Sequence, residues 1–144
     1  MTKPDDAVTC FKKGFSCSQA IVSTFSEEWG MDKETALRIS CGFGAGIARS
    51  GNICGAVTGA ILIIGLKYGK VSTGDDAAKE WTYNRVQEFI TNFKAKNGSI
   101  NCTELLGYDL SDPEQLKRAH ECGVVMTKCP ELTRDAAAIL EKIL

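Results

Sequence analysis

This chain lacks any sizeable excess of positive or negative charge. Its 144 residues carry 17 lysines and arginines against 18 aspartates and glutamates, with no basic block, so it lacks the cationic footprint that holds nucleic acid or an anionic bilayer. Those partners are excluded. Long apolar runs are missing too: the longest, Ala60 to Leu66 with Gly65 inside it, falls far short of the roughly 20 residues a spanning helix needs. No membrane span is expected. The first residues, Met1-Thr2-Lys3-Pro4-Asp5-Asp6, show neither the apolar core nor the cleavage pattern of a secretory signal, and the expected location is the cytoplasm.

Period-two alternation is absent over any useful length, and valine and isoleucine recur at helical spacing. The expected fold class is all-α: one domain over residues 1–144, a bundle of about six or seven helices around a buried, glycine-containing central helix. Also absent is any C-x-x-C pair, which removes the zinc ribbon, the thioredoxin-type redox pair and covalently attached haem. The glycine run Gly42-x-Gly44-x-Gly46 has no preceding strand and no Walker lysine, so close backbone packing is a better reading than phosphate binding.

What is present is cysteine, seven residues of it. An odd number cannot all pair within one molecule, and in a reducing cytoplasm metal binding or redox chemistry is favoured over structural disulfides. Helix punctuation separates the seven. Ser16-Cys17-Ser18-Gln19 and Asn101-Cys102-Thr103-Glu104 read as capping boxes that place Cys17 and Cys102 in first turns. Asn52 reads as the N-cap of the central helix, with Cys54 at its second position, and Pro130 as the first residue of the last helix, with Cys129 as its N-cap. Cys10, Cys41 and Cys122 fall inside helices or at their ends and read as small core residues.

Position matters because a helix start offers unpaired N–H donors and a positive partial charge, both of which favour thiolate. Four such thiols could ligate an iron–sulfur cluster, or two pairs could cycle between dithiol and disulfide. Arg49, in the glycine loop, could stabilise a thiolate or an anionic cluster, or be a solvated surface arginine. Gly55 and Gly59, four apart, allow another backbone to approach closely and leave space beside Cys54. His120, beside Glu121 on a polar helix, reads as a surface or half-buried residue rather than a ligand.

Cys54-Gly55-Ala56-Val57-Thr58-Gly59 resembles the CGAxxG signature of the C_GCAxxG_C_C family of redox-active proteins. Phe15-Ser16-Cys17-Ser18-Gln19-Ala20, Cys102 through Asp109, and Cys129 with Arg134-Asp135-Ala136-Ala137 fit its other landmarks. The resemblance implies an all-helical fold, a redox or metal role, and Cys17, Cys54, Cys102 and Cys129 as the characteristic set. A related helical domain accompanies an iron–sulfur site in a haem protein, which favours a cluster by analogy.

The resulting expectation is an iron–sulfur centre for electron transfer or sensing. Its metal ligands would be Cys17, Cys54, Cys102 and Cys129, with Gly55, Gly59 and Arg49 beside the cofactor. The alternatives are a metal-free thiol–disulfide protein and a non-enzymatic module for a small ligand or metal, linked to transport. The redox partner is unassigned and a homodimer is left open.

Overall fold

The computed structural model describes residues 1–144. Eight right-handed α-helices and no strands make up the fold, one more than the upper end of the expected count. They are α1 Lys3–Lys12, α2 Cys17–Phe25, α3 Lys33–Ser40, α4 Gly55–Tyr68, α5 Asp76–Asn97, α6 Cys102–Leu106, α7 Pro113–Glu121 and α8 Val124–Ile143. No helix is long and apolar enough to cross a membrane.

Local chemistry sets most boundaries. Thr2 and Asp5 form a capping box on α1, and Ser16 and Gln19 form the expected one on α2. Asp32 accepts from the Thr35 N–H and Asp75 from the Ala78 N–H, each covering an orphan donor of the helix it opens. Gly98, Gly107 and Gly123 adopt positive φ at helix junctions. α2 stops at Phe25, and a 3-10 turn, Glu27–Trp29, carries the chain to Gly30.

α4 is the hub. Ala56, Val57, Ala60, Ile63 and Ile64 are all fully buried, and α2, α5 and α8 pack around them. The closest approach is to α2, where a Cβ added at Gly59 would stand 3.0 Å from the Ser18 carbonyl oxygen and 3.1 Å from the Ile21 Cβ. Two bare glycine faces one turn apart therefore let α2 lie against α4 with little side chain between them. α8 closes the other side of the bundle. Arg134 meets Asp5 of α1 at 2.7 Å and Asp135 meets Lys96 of α5 at 3.1 Å, so adjacent family-landmark positions tie α8 to two neighbours.

Candidate functional site

Cys17 is the first residue of α2, beneath the Ser16–Gln19 capping box. Ser18, fully buried, donates its hydroxyl to the Ser40 carbonyl at 2.8 Å and fixes this helix start against the end of α3. Cys54 is itself the N-cap of α4, two residues later than the expected start at Asn52. The reason is non-local. Asn52 and Cys54 lie in extended backbone that pairs with residues 100–102 through an isolated antiparallel bridge, Ile53 to Asn101.

Across that bridge the Cys54 N–H donates to the Ile100 carbonyl at 2.8 Å, and the Cys102 N–H to the Asn52 carbonyl at 2.6 Å. Two of the cysteines are thereby held together by main chain alone. Cys102 opens α6, where Asn101 accepts from the Glu104 N–H at 3.1 Å; only this half of the expected capping box forms.

Cys129 departs from expectation. α8 begins at Val124, with Gly123 (φ 79°) as N-cap, and runs through Pro130, so Cys129 lies inside a helix rather than at its start. Val124 and Val125 pack against the core, and that burial favours a helix starting before the proline. The proline leaves the Met126 carbonyl without its usual donor. That turn carries exposed Met126 and Thr127, where water can satisfy the orphan. Three characteristic cysteines therefore sit at helix starts, and the fourth is delivered from a helix interior.

Residues 45–49 form an unusual wall. Ala45, Gly46, Ile47, Ala48 and Arg49 all have φ between 49° and 68°, a left-handed turn with only one glycine in five. Left-handed helical backbone costs roughly 1–2 kcal/mol for each residue with a Cβ, so the surroundings must hold it. The Gly46 carbonyl accepts from the Asn52 N–H at 2.9 Å. A Cβ at Gly46 would lie 2.8 Å from the Cys102 Cβ and 2.6 Å from the Asn52 nitrogen. The packing role assigned to the glycine run is therefore real at Gly46, and at Gly44, whose added Cβ would meet Ser16 at 2.8 Å; Gly42 has nothing nearby.

The four cysteines meet in one pocket of about 410 Å³, whose lining also includes Gly46, Arg49 and Gly55. Cys17, Cys54, Cys102 and Cys129 are all buried. The Cys129 thiol, then the Cys54 thiol, donates to Cys17 and holds it well below the usual thiol range, helped by the N–H groups of Cys17 and Ser18. The neighbours answer in the opposite sense. Cys54 and Cys129 are raised, first by donating to Cys17, then by burial and by the Cys17 charge. Cys102 is pushed up to about 11 by burial, then by the charges of Cys17 and Asp109. Cys17 is the thiol the site favours to ionise, and its three neighbours hold their protons more tightly.

Other expectations divide. Cys10 is the core residue expected, its sulfur 3.5 Å from the Ser23 hydroxyl. Cys41 and Cys122 are exposed, contrary to the core reading; each lies at a helix end, where the chain turns outward. Cys41 also lines the pocket, as does exposed His120. Gly55 faces the site directly, whereas Gly59 serves the α2–α4 contact one turn away. Arg49 lines the pocket but is not among the groups that shift any of the four thiols. No group of three or more His, Cys, Asp or Glu is arranged to hold a single metal ion. The space beside Cys54 was expected from Gly55, but not its apolar floor, which joins α1, near the start of the chain, to the consecutive helices α6, α7 and α8 near its end.

An all-α domain with a wall of four thiols, one acidified by the others, defines a class of small helical thiol-site proteins. Within that class, the family described as "Putative redox-active protein (C_GCAxxG_C_C)" matches residues 15–143, and the chain belongs to it. No curated protein and no solved structure matches the chain.

Proposed function

We propose that the pocket is a redox centre in which Cys17, Cys54, Cys102 and Cys129 hold an iron–sulfur cluster for electron transfer or sensing. The observation that carries this reading is the convergence of four cysteines from four different helices on one cavity. The residues fit such a group. The donors are four soft sulfurs, the ligand set such clusters take, and no carboxylate lines the pocket to compete as a hard ligand. Three of the sulfurs stand at helix starts, whose dipoles favour the negative charge of thiolate ligands. Gly55 leaves the space beside Cys17 free of side chain. When bound, the group would supply one-electron chemistry. The cavity beside the thiols gives the sulfurs room to take up such a group.

Anaerobic reconstitution with iron and sulfide tests the reading. Visible absorbance with bound iron and sulfide is expected. It should fall on serine substitution at any of the four cysteines and persist in Cys10→Ser and Cys122→Ser. Colourless, iron-free protein after reconstitution would reject the cluster.

The hydrogen bonding of Cys54 and Cys129 to Cys17 favours a second reading, a metal-free dithiol/disulfide couple. Cys17 as thiolate attacks an external disulfide and expels one of its sulfurs as a thiolate; the Cys54 or Cys129 thiol then displaces the other, which leaves with that cysteine's proton as a thiol, so the pair loses two electrons and one proton. A Cys17–Cys54 or Cys17–Cys129 bond mapped after mild oxidation with such a disulfide would support it. Four thiols that remain free under that treatment would count against it.

A further inference from the structure

We infer that the cavity facing the four thiols binds a small apolar carboxylate whose charge is met by Arg49. This rests on reading the thiol pocket as the functional site and deepens it by naming a ligand class; it assigns no reaction to the ligand.

The cavity is larger than the thiols need. Its volume of about 410 Å³ lies within the range of roughly 300–1,000 Å³ typical of small-molecule pockets. Much of the remaining lining is hydrocarbon and aromatic, Phe11, Phe15 and Leu105 with Leu116, Val125 and Leu132, and Ser16 and Gln19 are its uncharged polar members. Apart from the cysteines, only two lining side chains are titratable, Arg49 and His120, and there is no aspartate or glutamate. An apolar body with one anionic end is what such a surface complements.

Arg49 is free to serve that end. It enters no ion pair and makes no side-chain hydrogen bond, and its charge does not figure in the shifts of the four thiols. Arg49, an exposed residue with no anion to neutralise, nevertheless lines the pocket and is held there by backbone in the left-handed region, φ 66°, at the end of the 45–49 turn. Unfavourable backbone that a fold retains beside a cavity points to placement of the residues it carries. The planar fork of arginine pairs two N–H donors with the two oxygens of a carboxylate. A single guanidinium in a mostly apolar lining matches the one charge of a monoanion.

The test uses the reduced full chain under anaerobic conditions, with 3-phenylpropionate and its neutral amide as probes. Binding is read from the methyl NMR signals of Leu116 and Val125. The acid should shift both at millimolar concentration, and the amide should bind roughly tenfold more weakly or worse, as loss of a charged pair implies. Arg49→Gln should weaken the acid by a similar factor, and Arg49→Lys should recover part of it. Equal affinity for acid and amide overturns the inference, as does an unshifted methyl spectrum. If Arg49→Gln fails to fold, the acid–amide comparison on the unaltered protein still decides. Iron and sulfide uptake measured on the same preparation separates the two claims. Protein that takes up the cluster but ignores the acid overturns this inference alone; protein that binds the acid but takes up no cluster overturns only the cluster.

Discussion

Gly55 and Cys17 stand so close that a Cβ on Gly55 would lie 3.1 Å from the Cys17 sulfur. The same atom would meet the Phe43 carbonyl oxygen and the Ser18 nitrogen, also at 3.1 Å, and main chain yields less readily than a side-chain tip. Gly55→Ala should therefore destabilise the protein by about 1–3 kcal/mol, the usual cost of overpacking, and reduce iron and sulfide uptake. Gly65, in the same helix, has nothing within 4 Å of its added Cβ. Gly65→Ala should instead be neutral or stabilising by up to about 1 kcal/mol, through helix propensity. Urea denaturation of the two variants side by side checks the contrast. Equal effects would mean that contact with Cys17 and its neighbours is not what keeps position 55 bare.

The left-handed turn makes a prediction of opposite sign. Ala48, at φ 49°, is exposed and carries a Cβ in a region only glycine occupies freely. Ala48→Gly should remove about 1–2 kcal/mol of strain and return about 0.5–1 kcal/mol as added freedom of the unfolded chain. The expected net is a stabilisation of about 1 kcal/mol or less, seen as a raised urea midpoint. A loss of stability would show that the turn is less strained than its φ values imply.

These two sites mark where sequence alone succeeds and where it stops. Cys17 was legible because its helix start is built from neighbours in sequence, Ser16 and Gln19, whose capping bonds form as expected. Gly55 and Gly59 were legible because a spacing of four places them on one helix face. The start of α4 was misplaced because Asn52 is engaged by main chain from residues 46 and 102, partners that no local pattern reveals. Pro130 misled for a similar reason: its local preference for a helix start loses to the burial of Val124 and Val125. The three glycines of the 42–46 run announced unusual backbone. Its handedness is carried mostly by residues with side chains, so composition concealed it.

The helix start that carries Cys102 can be loosened without touching any cysteine. Asn101→Ala removes the acceptor for the Glu104 N–H and should cost about 1 kcal/mol, as for other N-cap losses. Because α6 is only five residues long, the effect should concentrate on Cys102, whose alkylation by iodoacetamide should speed up more than that of Cys10. If the variant is destabilised while Cys102 reacts at its original rate, the cap supports the fold without positioning the thiol.

The unequal acidities of the four thiols predict how stability of the reduced, metal-free protein depends on pH. Cys17 is held below the ordinary thiol value of about 8.5. Its contribution to stability is thus present above that pH and is lost as pH falls through its native value. Cys54, Cys102 and Cys129 are raised. Their contributions are complete below about 8.5 and are lost as pH climbs through their native values, which for Cys102 is about 11. On the alkaline side the Cys17 contribution is constant and only the three raised thiols change, so the urea midpoint should fall steadily from about pH 8.5 upward. Lysine and tyrosine titrate there as well, which makes variants decisive. Cys102→Ser should flatten part of the fall by removing one raised thiol. Cys17→Ser should flatten more of it, because donation to Cys17 is the largest cause of the shifts at Cys54 and Cys129, and its charge also raises Cys102. An alkaline limb unchanged in both variants would mean that the four thiols are not electrostatically coupled in the folded protein. The same coupling governs loading: thiophilic metals bind thiolate, so each thiol still protonated must release its proton on binding. Iron and sulfide uptake should therefore strengthen from pH 7 to pH 8.5 and liberate protons measurable in weak buffer.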